Sequence, residues 1–380
     1  MPDRIRVAFV APSLRILGGQ AVQADRLLKA WRNDPDVDAW LVPVNPDPPL
    51  LLSPAHRIKY VRTVANELTY LPLLARELGR ADVVHVFSAS YTSFLLAPLP
   101  AMLAARAMGK PVVLNYRSGE APDHLKRSAI ARRTIRNVDR NVVPSRFLVD
   151  VFNRFGIEAS IVPNIVDLDR FRFRERNPLA PRLLSTRNFD ALYNVAATIR
   201  AFRIVQDRWP DASLTLVGAG EQESALRDLV RELGLRHVTF TGRVAPDAIA
   251  VHYADNDIYL QSPDIDNMPT SVLEAFASGM PVVSTDAGGV PAILTHDVHG
   301  LLAPLGDHEL LGRHVLRLLD APDQARSLAR AAYRTCEACT WRNVREQWLA
   351  TYRGVLAPAS SRAHTFAPAP EDSTARQRAS

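Results

Sequence analysis

The chain has 380 residues, which is long for one hydrophobic core, so we expect two domains. Its 47% hydrophobic and 23% charged content is ordinary for a globular protein, and its net charge of +6 favours anionic partners. Cys336 and Cys339 are the only cysteines, which excludes a disulfide framework and predicts a reducing, cytoplasmic compartment.

Short β-rich runs alternate with helical patterns through the first 160 residues. Strands are predicted at residues 4–12, 38–44, 82–88, 111–116 and 140–144, and helices at residues 20–31, 56–78, 92–108 and 146–155. Repeated strand–helix units predict a parallel sheet with helices on both faces, and functional loops then lie at the carboxyl ends of the strands. The most apolar run, residues 94–107, is interrupted by prolines and an arginine and predicts a buried helix rather than a membrane span.

Two of these loops carry residues suited to ligands. Gly18 and Gly19 follow the first strand, where glycine lets backbone N–H groups approach a phosphate or an acceptor; a tight turn is the alternative. Arg117 follows the fourth strand and is suited to an ion pair with a phosphate, although arginine is a poor general base. Ser118 and Glu120 in the same loop are candidates for acceptor contact.

Residues 124–140 have the pattern of one basic amphipathic helix. Helices of this type lie on anionic membrane surfaces, and a solvated helix face is the alternative. The candidate membrane contacts are Lys126, Arg127, Arg132, Arg133 and Arg136. Nucleic acid is not expected as a partner, because no aromatic residues are interleaved with these charges.

A second set of strands follows a charged, proline-containing linker at residues 171–181. Strands are predicted at residues 182–186, 212–217 and 237–241. The second of them leads into Gly218 and Gly220, and the third into Gly242, Arg243 and Val244. A helix is predicted at residues 341–356, and residues 357–380 have the composition of a disordered tail.

The most informative stretch is residues 257–289. It predicts a strand at 257–262, a polar loop at 263–269, a helix at 270–278 capped by Gly279, a strand at 281–285 and a turn at Gly288-Gly289. Asp266 and Glu274, with seven residues between them, can face one cleft, where carboxylates accept hydrogen bonds from the hydroxyls of a ribose or a sugar. The alternative is a loop cap and a helix surface charge.

This stretch resembles the signature of the retaining nucleotide-sugar glycosyltransferases of family 4, through Asp266, Leu273-Glu274-Ala275, Gly279, Pro281-Val282-Val283 and Gly288-Gly289. The resemblance implies the α/β GT-B fold, in which two Rossmann-like parallel-sheet domains face a central cleft. It further implies an acceptor-side domain at 1–170, a nucleotide-sugar-binding domain at 182–340, and a last helix at 341–356 that returns to the first domain.

The resemblance also assigns roles to individual residues. Glu274 would bind the nucleotide ribose, Arg187 the diphosphate, and Asp266 the donor sugar. The residues implied for catalysis are Asp266, Arg187 and Arg117. Those implied for donor binding are Gly18, Gly19, Gly218, Gly220, Gly242, Arg243, Val244, Met268, Pro269, Thr270, Ser271, Val272 and Glu274.

The chain departs from the family pattern at several positions. Asp266 stands where the family usually has Glu, and Arg117 lies where it often has His. Leu192-Tyr193-Asn194 occupies the place of a phosphate-binding Lys, and Val290-Pro291-Ala292 that of a Glu. If the missing Lys acts like other groups that stabilise transition-state charge, its loss costs on the order of 10²–10³ in rate unless another cation compensates.

The implied activity is transfer of a sugar from a nucleotide diphosphate sugar to a glycan, glycolipid or other hydroxyl acceptor, with retention of configuration. No cofactor and no metal are expected, although Asp264 and Asp266 imitate the metal-binding Asp-x-Asp motif of another glycosyltransferase fold. The expected location is cytoplasmic or peripheral at the inner membrane face. The alternatives are a catalytically degenerate binding or scaffold protein, and a nucleotide-sugar epimerase on the same fold.

Overall fold

The computed structural model describes residues 4–15, 18–46 and 59–358. The first half of the chain forms a six-stranded parallel sheet with the order β2-β1-β3-β4-β5-β6. Its strands are β1 (Ile5–Ala11), β2 (Val37–Pro43), β3 (Val83–Ser88), β4 (Val112–Tyr116), β5 (Arg140–Val143) and β6 (Ser160–Ile161). Its helices are α1 (Gly19–Trp31), α2 (Lys59–Gly79), α3 (Tyr91–Leu96), α4 (Pro98–Ala107), α5 (Ala121–Arg127), α6 (Ala129–Arg136) and α7 (Arg146–Arg154).

The second half forms another six-stranded parallel sheet, with the order β12-β11-β10-β7-β8-β9. Its strands are β7 (Arg182–Ser185), β8 (Ser213–Val217), β9 (Val238–Gly242), β10 (Ile258–Leu260), β11 (Val282–Thr285) and β12 (Leu301–Ala303). The remaining helices are α8 (Val195–Arg208), α9 (Glu223–Glu232), α10 (Ala250–Asp255), α11 (Thr270–Ala277), α12 (His308–Asp320), α13 (Pro322–Cys336) and α14 (Trp341–Leu356). The expected fold of two parallel-sheet α/β domains is confirmed.

The central strands are buried on both faces, which explains their nearly continuous apolar sequences. Every residue of β3 is buried, including His85. The apolar faces of α1, α4 and α7 cover this sheet, and each half of the chain has its own hydrophobic clusters. Among the described helices, none is long and apolar enough to cross a bilayer.

Two helices predicted as continuous are each divided in two. The predicted helix at residues 92–108 breaks at Ala97, because Pro98 has no N–H to donate within a helix and instead begins α4. The predicted basic helix at 124–140 breaks at Ser128, whose hydroxyl accepts a hydrogen bond from the N–H of Ala131 at 3.1 Å and caps α6. The first residues of the predicted helix at 56–78, and most of the predicted tail at 357–380, lie outside the described residues.

The last helix, α14, follows the second sheet in the chain but packs on the first. Trp348 and Tyr352 are fully buried in the same cluster as Val7 and Phe9 of β1. The guanidinium of Arg345 also donates to Asp34 at 2.7 and 2.9 Å. The return of α14 therefore adds apolar contact and an ion pair between the two halves of the chain.

We predict that Trp348→Ala lowers the free energy of unfolding by about 3–5 kcal/mol, because it removes the largest fully buried side chain of α14 from the core. Urea unfolding followed by fluorescence or circular dichroism measures the change. Arg342→Ala, at an exposed position of the same helix, is the control and is expected to stay within about 0.5 kcal/mol of the wild type. Equal stability of the two variants would contradict the packing of α14 described above.

Candidate functional site

A cavity of about 320 Å³ lies between the two domains. Residues that follow β1, β4 and β5 line one side, and residues that follow β7, β8, β9 and β10 line the other. Both sheets thus direct the carboxyl ends of their strands at one space, the position at which open parallel sheets bind ligands. The lining includes these candidates from the sequence: Gly18, Gly19, Arg117, Ser118, Glu120, Arg187, Gly218, Arg243, Val244, Asp266, Met268, Pro269, Thr270, Ser271 and Glu274.

Three of the proposed donor-binding residues are not in the lining. Val272, which belongs to α11, is fully buried in the hydrophobic core. Gly220 packs on the loop that carries Arg187, since a Cβ at Gly220 would lie 2.5 Å from the carbonyl oxygen of Phe189. Gly242, with a φ of 71°, ends β9 just before Arg243, which does line the cavity.

Three glycines fix the loop at residues 263–269 through backbone contacts. A Cβ on Gly288 would lie 2.2 Å from the carbonyl oxygen of Asp266, and one on Gly289 would lie 2.2 Å from that of Asn267. Gly119, from the first domain, approaches Asp266 so closely that its Cβ would lie 2.9 Å from that same carbonyl. The Gly288-Gly289 pair of the sequence motif is therefore required by the loop that it supports.

The loop leads directly into α11, whose N-terminus faces the cavity. Pro269 occupies the N-cap position and offers no side-chain cap to the first turn. The N–H groups of the first helical residues have no partner within a helix, so those of Thr270 and Ser271 are suited to an anion in the cavity that they line.

Arg187 and Asp266, which the resemblance assigns to different parts of a donor, bind each other. Nη2 of Arg187 donates to Oδ2 of Asp266 at 2.6 Å, and Nη1 donates to Oγ of Ser271 at 3.1 Å. The guanidinium also lies 4.0 Å from the ring centroid of Tyr193. Burial disfavours its charge, but the Asp266 carboxylate raises the pKa of Arg187 above its ordinary value, so it remains a cation. Its Nε is buried and has no hydrogen-bond partner within the described ranges of the chain.

Glu274 is almost fully buried and has partners from both domains. Tyr253 donates its hydroxyl to Oε2 of Glu274 at 2.7 Å, and Arg26 of α1 donates Nη2 to Oε1. Burial and the neighbouring carboxylate raise the pKa of Tyr253 well above 10, which keeps this hydroxyl protonated. Sequence reasoning missed Arg26 and Tyr253. The one available signal for Arg26 was a pair of polar residues three apart, Gln23 and Arg26, on the face of α1 that packs inward.

Arg117 ends a chain of buried hydrogen bonds. Its Nε donates to Oδ1 of Asn115 at 2.9 Å, and Nδ2 of Asn115 is 2.9 Å from Nε2 of His85, whose Nδ1 is 2.8 Å from the hydroxyl of Tyr352. Burial lowers the pKa of His85 well below 6.5, so the ring is neutral. Burial also lowers the pKa of Arg117 to about 9, and Nη1 of Arg117 has no hydrogen-bond partner in the part of the chain that the structure describes.

No cation stands where the family has its lysine. Leu192 and Tyr193 line the cavity there, while Asn194 caps α8 and donates to Asp264 at 3.1 Å. Arg243 lines the cavity with an exposed side chain, which forms no hydrogen bond or ion pair with the residues that the structure describes. Within the described ranges, no three His, Cys, Asp or Glu side chains are grouped to hold a metal ion.

Solved structures place this architecture in a known class. HepE of Anabaena, in a complex with UDP-glucose, superposes with a TM-score of 0.72 at 17% identity over 92% of this chain and 100% of that one. Sucrose-phosphate synthase of Thermosynechococcus elongatus gives 0.71 at 19% identity over 92% and 98%. The two facing parallel sheets and the cavity between them thus define the GT-B fold of glycosyltransferases.

Sequence comparison identifies the family within that class. The family model for glycosyltransferase family 4 matches residues 17–170, and the model for glycosyl transferases group 1 matches residues 169–335. The chain therefore belongs to the family 4, group 1 glycosyltransferases.

Individual relatives match parts of the chain. A GDP-mannose-dependent phosphatidylinositol monomannoside mannosyltransferase of Mycobacterium tuberculosis is 32% identical over 214 residues, which are 50% of this chain and 54% of the relative. Sulfoquinovosyl transferase SQD2 of Arabidopsis thaliana is 25% identical over 313 residues, 74% of this chain and 59% of the relative. The chain thus spans little more than half the length of these relatives.

We predict that Gly288→Ala destabilises the protein by about 2–5 kcal/mol, because a left-handed φ of 51° and the contact with Asp266 both oppose a side chain. Gly79→Ala is the matched control, since among the described residues no atom beyond the neighbouring backbone of its own helix lies within 4 Å of its added Cβ. Urea unfolding of the two variants tests the difference. A Gly288→Ala protein as stable as Gly79→Ala would show that the loop is not fixed in this way.

Proposed function

We propose that this protein transfers a sugar from a nucleotide diphosphate sugar to a hydroxyl group of a glycan or lipid acceptor, with retention of configuration. The observation that carries the proposal is the single cavity in which Glu274, Arg187, Asp266 and the N-terminus of α11 meet. Such a set offers a carboxylate to ribose hydroxyls and positive charge to a diphosphate. The match of two glycosyltransferase family models supports the same activity.

Three arginines would hold the diphosphate and compensate for the missing lysine. Arg187 and Arg117 each have one buried guanidinium nitrogen that finds no hydrogen-bond partner among the described residues, and Arg243 has an exposed side chain at the same cavity. Fixed positive groups that face the leaving diphosphate stabilise the charge that develops on it in the transition state. The N-terminus of α11 adds partial positive charge at the same place.

The proposed route of sugar transfer rests on the pairing of Asp266 with Arg187. Asp266, the carboxylate expected at the donor sugar, is already paired with Arg187, which makes it a weak nucleophile. We therefore propose same-face attack by the acceptor hydroxyl, in which a leaving phosphate oxygen takes the acceptor proton. Asp266 and Arg187 would then orient the sugar and phosphate together, without a covalent intermediate and without a metal ion.

One observation favours a second function. Leu192, Tyr193 and Asn194 leave no cation at the usual lysine position, which is compatible with a donor-binding protein that has lost turnover. Binding of a nucleotide sugar without release of nucleotide, across a panel of hydroxyl acceptors, would favour that function. Release of nucleotide that depends on an acceptor would establish the transferase and argue against an epimerase.

We predict that a nucleoside diphosphate raises the melting temperature of the protein in the presence or absence of magnesium, because a ligand of the native state stabilises it by mass action. Glu274→Ala should then weaken the binding of that nucleotide by about 1.5–3 kcal/mol, the scale of a hydrogen bond to a charged group. Glu309→Ala, an exposed carboxylate of α12, is the control and should bind like the wild type. Unchanged affinity in Glu274→Ala would eliminate the ribose role.

We further propose that the first domain docks on an anionic membrane to reach a lipid acceptor. The names of two relatives, the mannosyltransferase above and an alpha-monoglucosyldiacylglycerol synthase of Streptococcus pneumoniae, point to lipid acceptors.

The five basic residues predicted to contact the membrane differ in their surroundings. Lys126 and Arg133 are exposed, and within the described residues neither side chain forms a hydrogen bond or a close ion pair, whereas Arg132 is half-buried and donates to the carbonyl of Lys126 at 3.0 Å. Arg127 pairs with Asp123, and Arg136 donates to the carbonyl of Phe155.

We predict that Lys126→Glu with Arg133→Glu weakens binding to phosphatidylglycerol vesicles by about 2 kcal/mol or more, since each basic residue near such a surface contributes about 1 kcal/mol. Vesicle sedimentation at low and physiological salt measures this loss of binding. Arg200→Glu with Arg236→Glu, two exposed positions of the second domain, is the matched control. An equal loss in both double variants would indicate a general charge effect and not docking by α5 and α6.

A further inference from the structure

We propose that Arg26 of the first domain is a positioning residue that holds Glu274 of the second domain in place for the ribose of a bound nucleotide. The inference rests on the proposed function, which assigns Glu274 to the ribose. It adds a contact from the opposite side of the cleft, supplied by a residue outside the signature stretch that contains Glu274.

Arg26 is mostly buried and has contacts on several sides. Its side chain is 10% exposed, and its two terminal nitrogens have different partners: Nη2 donates to Glu274, and Nη1 donates to the carbonyl oxygen of Ile165 at 3.2 Å. Its guanidinium also lies 5.7 Å from the ring centroid of Phe171. These contacts leave the arginine little freedom, so it can define where the carboxylate of Glu274 lies.

The preceding turn of α1 strengthens this arrangement. Gln23 donates to the carbonyl of Ile165 and accepts from its N–H, both at 3.1 Å. Gln23 and Arg26 therefore bind the same residue, just before the chain crosses from the first domain to the second. The position of Glu274 is thus tied to the segment that joins the two domains.

The carboxylate can bind Arg26 and a ribose at the same time. Two oxygens offer about four acceptor positions. Arg26 uses one on Oε1 and the Tyr253 hydroxyl uses one on Oε2, which leaves one on each oxygen for a ribose diol. Both Arg26 and Glu274 line the cavity, so a ribose reaches the carboxylate without displacing the arginine.

Without Arg26, Glu274 would be a buried carboxylate with a single neutral partner. A charge left unpaired at 6% exposure is strongly unfavourable, so the side chain would turn toward solvent. That movement takes away the acceptor that the ribose hydroxyls need. The effect falls on recognition of the ribose and leaves the diphosphate contacts of Arg187 and α11 in place.

The test compares ribonucleotides with their 2′-deoxy counterparts. UDP, GDP and ADP, with dUDP, dGDP and dADP, are titrated calorimetrically into the full chain, and the base that binds best is used. The wild type should prefer the ribonucleotide by tenfold or more. In Arg26→Met the ribonucleotide should bind about tenfold more weakly, while the affinity for the 2′-deoxy nucleotide changes little. The ratio of the two affinities therefore approaches one.

Lys29→Met is the matched control. Lys29 lies one turn further along α1 and forms another ion pair across the cleft, 3.8 Å from Asp247, but its side chain is 47% exposed and its ion pairs are with Asp25 and Asp247. This variant should keep the wild-type ratio of ribose to deoxyribose affinity. If Arg26→Met weakens the binding of the ribonucleotide and the 2′-deoxy nucleotide equally, the positioning role is overturned. Arg26 would then make only a general contribution to nucleotide binding.

The double variant Arg26→Met with Glu274→Gln covers the case in which Arg26→Met does not fold, because it leaves no unpaired charge. If Arg26 acts through Glu274, this protein binds the ribonucleotide within twofold of Glu274→Gln alone. A further tenfold loss would overturn the inference. A wild type that binds none of the six nucleotides would instead overturn the proposed function, and the role of Arg26 with it.

Discussion

The site depends on one constraint, the close approach of backbone atoms around the carbonyl oxygen of Asp266. Gly288 from the second domain and Gly119 from the first both come nearer to this carbonyl than a side chain would permit, and the N–H of Gly289 donates to it at 3.2 Å. A loop held by main chain on two sides has little freedom to shift. It fixes the direction of the Asp266 side chain and the start of α11, which together shape the floor of the cavity.

On this floor the charged groups are paired before any ligand arrives. Asp266 is bound to Arg187, and Glu274 is bound to Arg26, with all four side chains no more than 12% exposed. Burying such charges costs free energy that good geometry and further hydrogen bonds offset, here from Ser271 and Tyr253. A donor entering the cavity therefore meets groups that are already desolvated and oriented. That reduces the reorganisation needed when charge develops on a leaving group.

Local sequence patterns were sufficient for most of the fold, and the reason is visible in α11 and its neighbours. The predicted helix at 270–278 and strand at 281–285 each differ from the structure by one residue, because apolar periodicity and Gly279, with a φ of 71°, mark their ends. The breaks at Ala97 and Ser128 were missed although Pro98 and a serine cap were in the sequence. In both places the apolar pattern continued across the break and outweighed the local signal.

The partners of the site residues could not be predicted in the same way. Arg26 and Glu274 are 248 residues apart, and Ser145 and Asn267, another hydrogen-bonded pair across the cleft, are 122 apart. No local pattern specifies which surface of one domain will meet the other. The motif residues were selected from their spacing together with the resemblance of the stretch to a family signature, whereas their ion pairs and hydrogen bonds depend on how two separately folded sheets are joined.

The C-terminal helix shows how far that joining extends. Through Tyr352, His85 and Asn115, α14 is connected by three hydrogen bonds to Arg117 at the cavity wall. Because His85 is neutral, its Nε2 accepts from Asn115 and its Nδ1–H donates to Tyr352, which leaves Oδ1 of Asn115 to accept from Arg117. Each group in the chain therefore has one orientation that satisfies its neighbour. The last helix thus stabilises the first domain by packing and also orients a cation at the site, which gives a structural reason for it to cross back.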